Sequence, residues 1–353
     1  MMQSRFTRFG FPLFVACLLA AMLAACGQAP ASNGGGSASS SGSSSGGNAS
    51  SSCSSPPKLA KKDHYKVGFS QNASNNPWRL AETASIKSEA SKRGDQLVFA
   101  DAANSGSKQV SDVENMVAQK VDVILLAPIT ETALIPAIKQ ARAACIPVIL
   151  LDRDVDHNLA KPNADYVTFI GSDFVQQGKR VADWLIKQTN GNAKIIELEG
   201  TTGASPAINR KKGFDDEIKS QANMKILASQ DGDFTRDTGR KVMQTLLQSH
   251  PDVTAVYAHN DEMAIGAIAA LKAAGKQPGK DVIVCSIDGE KDGLNAIIAG
   301  EEGTVVQSSP FFGPVSFQTI DQYAAGTKLD DWIVVKDQQF TKDNAQQNLA
   351  NSF

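Results

Sequence analysis

The residues best suited to chemistry in this 353-residue sequence stand in short polar clusters, each directly after an apolar, β-branched run. Ser70-Gln71-Asn72, Asp152-Arg153, Gly171-Ser172-Asp173 and Glu199-Gly200-Thr201 come first. Gln230-Asp231-Gly232-Asp233-Phe234, His259-Asn260-Asp261, Asp288-Gly289 and Gln307-Ser308 follow. Open parallel sheets bind ligands beyond the carboxyl ends of their strands, so polar groups repeated at those ends describe a ring of donors and acceptors around one cleft. The chemistry of such a ring is recognition of a polyhydroxylated ligand. Carboxylates and amides serve hydroxyls, aromatic faces cover C–H patches, and bidentate Asp and Arg groups fix two hydroxyls in one plane. A hydrogen bond with a charged partner contributes about 1.5–3 kcal/mol net, and micromolar affinity needs about 8 kcal/mol, so several groups must converge.

Catalysis lacks its usual parts. None of the apolar runs is followed by a G-x-S-x-G elbow, a P-loop or a G-x-G-x-x-G. Ser105-Gly106-Ser107-Lys108 matches S-x-x-K without that motif's companions and reads as a helix start. The four histidines are scattered, and neither H-E-x-x-H nor C-x-x-C is present. The expectation is a binding protein rather than an enzyme, with no cofactor and no metal.

The elements that must position these residues alternate regularly. Apolar runs at 65–70, 96–100, 121–127, 146–151, 166–171, 193–198, 224–228, 255–258, 282–287 and 304–307 are separated by longer amphipathic stretches. Val123-Ile124-Leu125-Leu126 is apolar throughout, as a strand covered on both faces must be. Val110, Val113 and Val117 carry helical spacing, and Gly94, Gly191 and Gly275 stand where helices stop. Strand–helix alternation on this scale predicts an α/β protein with doubly wound parallel sheets. Ten strands are too many for one ordinary domain, so two such sheets are expected.

The ends of the chain read differently. Residues 1–25 have the form of a secretory leader, with Arg5 and Arg8 before an apolar run and Leu23-Ala24-Ala25-Cys26 at its end. That last arrangement resembles the lipobox of bacterial lipoproteins, in which Cys26 would receive the lipid. Residues 26–58 are mostly Gly, Ser, Ala and Asn, too polar to bury a core, and read as a tether. A Gly/Ser coil of that length spans about 30 Å on average. The net charge of −2 carries no basic excess for nucleic acid. Of five cysteines, Cys17 leaves with the leader, Cys53 lies in the tether, and Cys145 and Cys285 flank apolar runs. The expected fold does not depend on disulfides, with a Cys145–Cys285 bridge as the less favoured alternative.

Six segments, in order, carry a family resemblance: Asn75-Asn76-Pro77-Trp78-Arg79, Leu151-Asp152-Arg153, Arg210-Lys211-Lys212-Gly213-Phe214, Gly232-Asp233-Phe234, His259-Asn260-Asp261-Glu262-Met263 and Ser286-Ile287-Asp288-Gly289. Together they resemble the ribose- and galactose-type periplasmic sugar-binding proteins of ABC importers, closest to the galactofuranose-binding branch, over about 65–338. The resemblance implies the type I periplasmic binding protein fold, with two doubly wound domains joined by a three-stranded hinge near Ser172, Gln307 and Lys336. It places domain 1 at 59–172 plus 308–335 and domain 2 at 173–307 plus 336–353. It implies sugar contacts from Asn76 and Trp78 in the first loop, with Trp78 on one ring face and Phe234 on the other. It also implies contacts from Asp152, Arg153, Arg210, Asn260, Asp288 and Gln307. Arg79 stands where ribose-type members carry an aromatic, which implies a ligand with one more hydroxyl arm than ribose. The implied partners are a monosaccharide, an ABC permease and, through the lipid alone, a membrane, with the chain acting as a monomer. A sensor that presents sugar to a receptor shares these features. Lac-repressor-type regulators share the core, but their DNA-binding headpiece is replaced here by the leader and tether.

Asn260 and Asp152-Arg153 also admit structural readings from sequence alone: a helix cap for the first, an ion pair at a strand end for the second.

Overall fold

The computed structural model describes residues 53–353. The leader at 1–25, Cys26 and the tether up to residue 52 lie outside the described residues. In chain order the first strands are β1 (Lys66–Gln71), β2 (Gln96–Asp101), β3 (Val123–Leu126), β4 (Val148–Leu151) and β5 (Phe169–Ser172). Next come β6 (Asn192–Glu199), β7 (Asn223–Asp231), β8 (Ala255–Ala258), β9 (Ile283–Asp288) and β10 (Thr304–Gln307), then β11 (Trp332–Val335) and β12 (Gln339–Thr341). The helices between them are α1 (Pro77–Arg93), α2 (Gly106–Ala118), α3 (Ile135–Ala143), α4 (Phe174–Thr189), α5 (Ser205–Ile218), α6 (Arg236–Ser249), α7 (Asp261–Ala273), α8 (Lys291–Ala299) and α9 (Gly313–Ala324).

Two six-stranded sheets result, ordered β11-β5-β4-β3-β1-β2 and β12-β10-β9-β8-β6-β7. All ten expected runs are strands. The same order in both sheets reverses direction beside the first strand of each, which is where open α/β sheets form their crevice. The apolar strands are apolar because each face meets helices. In β3, Val123 and Leu125 pack with Trp78, Ile86 and Phe317, while Ile124 and Leu126 pack with Met116, Leu134 and Ile138 on the other side. The second sheet divides alike, Leu198, Val256 and Val284 on one face and Ile195, Tyr257 and Ile287 on the other.

The chain leaves the first sheet after Ser172, returns after Gln307 and leaves again after Val335. Side chains tie these passages together. Asp337 accepts from Ser172 Oγ at 3.1 Å and from Gln177 Nε2 at 2.8 Å, and Gln177 Nε2 also donates to Gln307 O at 3.1 Å.

The structure corrects the sequence reading in three places. Two further strands, β11 and β12, extend the sheets. They are short edge strands with alternating exposure, so they lack the continuous apolar signal of the central strands. Strand β12 runs antiparallel to β10, so the second sheet is parallel-dominated rather than wholly parallel. Residues 53–58 are not free tether. Cys53 is disulfide-bonded to Cys145, Ser55 Oγ donates to Ala164 O at 2.8 Å, and Tyr323 Oη donates to Pro57 O at 2.7 Å. Cys285 is a buried free thiol, so the alternative Cys145–Cys285 pairing does not form. Composition marked this segment as linker; the cysteine that holds it lies 92 residues away in sequence, beyond the reach of any local pattern.

Helices α4 and α5 approach until their backbones touch, and two glycines permit it. A Cβ on Gly178 would stand 2.0 Å from Arg210 O, and one on Gly213 would stand 2.0 Å from Val175 O. Gly178→Ala should therefore force the helices apart and destabilise the protein by about 1–3 kcal/mol, the usual cost of overpacking. Urea denaturation of the two proteins measures this, and an unchanged midpoint would show that the contact carries no constraint.

Candidate functional site

Two loops, one from each sheet, bring one asparagine each to the same carbonyl. After β1, Asn76 caps α1: its Oδ1 accepts from Arg79 N at 2.9 Å, and Pro77 begins the helix with its φ already suited to it. After β8, Asn260 caps α7 by accepting from Met263 N at 3.0 Å. Each cap uses the amide oxygen and leaves Nδ2 free to donate elsewhere. Both donate to Phe234 O, Asn76 at 3.4 Å and Asn260 at 3.2 Å. The capping role read from sequence for Asn260 is real, and it is also what aims the rest of the side chain.

Nine of the ten expected site residues line one cavity of about 300 Å3: Asn76, Trp78, Arg79, Asp152 and Arg153 from the first sheet's side, and Arg210, Phe234, Asn260 and Asp288 from the second's. Pro206, at the start of α5, lines it as well. Gln307 does not. Its Oε1 accepts from Gln338 N at 3.2 Å, which places the side chain at a chain passage between the sheets instead of in the cavity.

The cavity wall is charged. Arg79, Arg153 and Arg210 are each at least 94% buried, so each guanidinium must be held by protein groups. Arg79 places Nη1 on Glu82 at 3.0 Å and Nη2 on Asp152 at 2.6 Å. Burial opposes its charge, but Asp152 and Glu82 outweigh that and hold it above its ordinary value. With both terminal nitrogens on carboxylates, Arg79 orients Asp152 and fixes the first loop. Asp152 therefore pairs with Arg79 and not with the adjacent Arg153. Arg210 donates from Nε to Gln177 Oε1 at 2.9 Å, from Nη1 to His259 O at 2.5 Å and from Nη2 to Asp288 Oδ1 at 3.3 Å. Arg153 is the least satisfied of the three. Its Nη1 donates to Ile129 O at 2.6 Å, while its Nε has no partner among the described residues. Burial, reinforced by Arg79, lowers it to about 9.

The carboxyl groups answer the same burial. It raises Glu82 to about 7 against the pull of Arg79, and it raises Asp288 well above the carboxylate range against the pull of Arg210. The aromatic residues sit among the cations. The Arg79 guanidinium lies 4.6 Å from the Trp78 ring centre, and Arg153 and Arg210 lie 5.7 and 5.9 Å from that of Phe234. Trp78 Nε1 donates to Ser308 O at 2.7 Å, and a Cβ on Gly200 would overlap the Phe234 ring at 1.8 Å, so each ring is held in place. Three lining residues have positive φ, Asp152 at 58°, Phe234 at 55° and Asp288 at 137°. Such backbone costs of order 1–3 kcal/mol per residue and concentrates where side-chain placement matters more than local ease.

The two sides of the cleft are in contact. Beyond the Asn76 bond to Phe234, Asp154 N donates to Ser205 Oγ at 2.8 Å, Glu131 N to Gly203 O at 3.0 Å and Asn104 Nδ2 to Asp233 Oδ2 at 3.3 Å. No cluster of three or more His, Cys, Asp or Glu suited to a metal occurs among the described residues. Sequence reasoning did not single out Pro206, Gln177 or Glu82. Glu82 lies three residues after Arg79 on α1, a spacing that pairs charges on a helix face; nothing local marks Gln177 or Pro206.

Residues 67–328 match the family model described as a periplasmic binding protein domain. The chain belongs to that family. It is 42% identical to the galactofuranose-binding protein YtfQ of Escherichia coli over 288 residues, covering 80% of this chain and 90% of that protein. It is 36% identical over 273 residues to the ribose import binding protein RbsB of Bacillus subtilis, covering 77% of this chain and 86% of that one. Among solved structures, the periplasmic binding component of an arabinose ABC transporter from Shewanella, bound to α- and β-L-arabinofuranose, superposes with a TM-score of 0.76. That match has 39% identity and covers 81% of this chain and 95% of that one. These relatives are solute-binding proteins of type I architecture, not enzymes, in keeping with the two-domain fold of this periplasmic binding protein.

A periplasmic binding protein with this wall should respond to pH through its carboxyl groups. Glu82 is raised to about 7 and Asp337, by burial at the chain passages, to about 6. Both bind protons more tightly folded than unfolded, so their contribution to stability is complete below the unfolded carboxylate range and is lost as pH rises through 6 to 7. Without ligand, the thermal midpoint should fall between pH 5 and pH 8, and Glu82→Gln should flatten part of that slope. A midpoint that rises over the same interval contradicts the assignment.

Proposed function

We propose that this chain is the extracytoplasmic binding component of an ABC sugar importer, and that it encloses one monosaccharide, in furanose form, in the cavity between its two domains. The observation that carries this reading is the convergence of three buried arginines, two carboxyl groups and two aromatic rings from both sheets on one cavity of about 300 Å3. Asp152, Asp288 and Arg153 offer hydrogen-bonding capacity beyond what their protein partners use, the wall is cationic enough to attract hydroxyl lone pairs, and Trp78 and Phe234 supply apolar faces. The furanose form is supported by the likeness to a galactofuranose-binding and an arabinofuranose-bound protein.

Binding works by domain closure around the passages at Ser172, Gln307 and Val335, with domain 1 taken as 59–172 plus 308–335 and domain 2 as 173–307 plus 336–353. A ligand that touches both domains stabilises only the state in which they meet, and the cross-cleft hydrogen bonds fit such a closed state. Gln307 serves the hinge in this scheme and not the sugar. The protein acts as a monomer, delivers its ligand to a permease and is held to a membrane through lipid on Cys26.

Titration calorimetry with L-arabinose and D-galactose tests the site. Wild-type protein should bind at least one of them, and at 100 times the dissociation constant the ligand should add about 2.7 kcal/mol of stability. Arg153→Ala and Asp288→Ala should each weaken binding by about 2 kcal/mol or more, roughly thirtyfold, with the fold retained. Unchanged affinity in both variants would remove the cavity as the site. For the anchor, cells fed a labelled fatty acid should label wild-type protein and not Cys26→Ser; equal labelling of the two would exclude Cys26.

A further inference from the structure

Directly behind the cavity wall, the second domain buries several carboxyl groups with few cations among them. Asp261, Glu290 and Glu302 are all buried. Asp261 follows Asn260 and opens α7. Its Oδ2 accepts from Gly289 N at 2.9 Å and from Glu290 N at 2.7 Å, and its Oδ1 lies 2.5 Å from Ser286 Oγ. The same hydroxyl lies 2.5 Å from Glu302 Oε1. A seryl hydroxyl has one hydrogen to give, so it cannot donate to both carboxyl groups. Both short contacts are hydrogen bonds only when one carboxyl group is protonated and donates to Ser286 Oγ.

The donor count places that proton. Asp261 already receives two backbone N–H groups on Oδ2, which favour its anion. Glu302 Oε2 has no partner among the described residues, so nothing there favours an anion. The chain of bonds therefore runs from the Glu302 carboxyl O–H to Ser286 Oγ, from the Ser286 O–H to Asp261 Oδ1, and from Asp261 Oδ2 to the amides of Gly289 and Glu290. Those two amides follow Asp288, whose φ of 137° needs support from outside its own strand. Helix α8 is packed against the same carboxylate: a Cβ on Gly293 would stand 2.5 Å from Asp261 Oδ2.

We propose that Asp261 is a positioning residue for the ligand cavity, fixing the turn that carries Asp288, and that Glu302 is the proton donor that locks Asp261 through Ser286. Asp261 is not among the cavity-lining residues and acts only through that turn and through the adjacent Asn260. The groups that face this chain are Arg210 and Asp288 from the cavity side, Glu262 and Glu290 from the starts of α7 and α8, and Cys285 beside Glu302. Arg210 is the cation in this set. Burial pushes Glu302 well above the carboxylate range and Glu290 up to about 11, which agrees with a neutral Glu302 at pH 7.

The consequence for affinity rests on the sugar-site reading, while the bonding scheme does not, and the test separates them. Hydrogen exchange is measured on ligand-free protein for the amides of Gly289 and Glu290. In Asp261→Ala they should exchange at least about tenfold faster, as expected when a backbone hydrogen bond is lost. In Glu302→Gln, whose amide still donates to Ser286, they should stay protected. In infrared spectra at pH 7, wild-type protein should show the carbonyl stretch of a buried protonated carboxylic acid that Glu302→Gln lacks. Equal exchange in Asp261→Ala and wild type would overturn the positioning role, and identical carbonyl bands in wild type and Glu302→Gln would overturn the proton assignment. L-Arabinose affinity should fall about tenfold or more in Asp261→Ala. If the exchange and infrared results stand while no sugar binds, the proton chain is supported and the sugar reading alone is overturned.

Discussion

Three guanidinium groups sealed between two sheets set the terms for the rest of this molecule. An arginine cannot shed its charge to enter a protein interior, so each must find carboxylates or carbonyls with good geometry, or the burial costs several kcal/mol. Arg79 draws in Glu82 and Asp152, Arg210 draws in Asp288, Gln177 and the His259 carbonyl, and Arg153 has the Ile129 carbonyl. These partners come from α1, α4, β9 and the loops after β3, β4 and β8. The positions of those elements are thus constrained by the cations as much as by the apolar layers. The close approach of α4 and α5 at Gly178 and Gly213 belongs to the same constraint, because it brings Gln177 within reach of Arg210.

The wall that results is unevenly satisfied, and the unevenness has a direction. Arg79 is fully engaged, Arg210 nearly so, and Arg153 keeps an unpartnered Nε. Burial pushes Asp288 toward its neutral form, in which a carboxyl group can donate as well as accept. A hydroxyl also does both. An oxygen-rich ligand can therefore accept from Arg153 and exchange roles with Asp288, which a simple anion or an apolar ligand cannot.

Much of this was legible in the sequence because the relevant signals are local. The strands read as strands because Val123-Ile124-Leu125-Leu126 and its counterparts are short, apolar and followed by polar residues. Carboxyl-end placement then pointed to half of the cavity lining, and family likeness supplied Asn76, Trp78, Arg79 and Arg210, the last in a basic run that resembles an ordinary solvated face. What stayed hidden is long-range or conformational. Cys53 pairs with Cys145 across most of the first domain. Gln307 has the right residue type at the right strand end, but the Gln338 amide captures it. Asp152 stands beside Arg153 in sequence, yet its φ of 58° turns it toward Arg79 instead. Neither a backbone dihedral nor the choice between two nearby arginines is written in residue spacing.

The two sheets repeat one another in strand order, and their loops repeat one device: an asparagine that caps a helix with its oxygen and reaches the cleft with its nitrogen. A cap is held by the helix it starts, so Asn76 and Asn260 are oriented whether or not the cleft is occupied. Both nitrogens meet at the Phe234 carbonyl, and Phe234 itself has a positive φ that only its surroundings enforce. Asn260 belongs to the same sheet as Phe234 and, in the closure proposed above, would keep its bond as the domains separate; Asn76 lies across the cleft and would lose its bond. The carbonyl would thus keep one donor in either state of the proposed motion. On the proposed motion, that would keep one hydrogen-bond cost of separating the domains small. A binding protein that must both capture and release its ligand needs that cost to stay small.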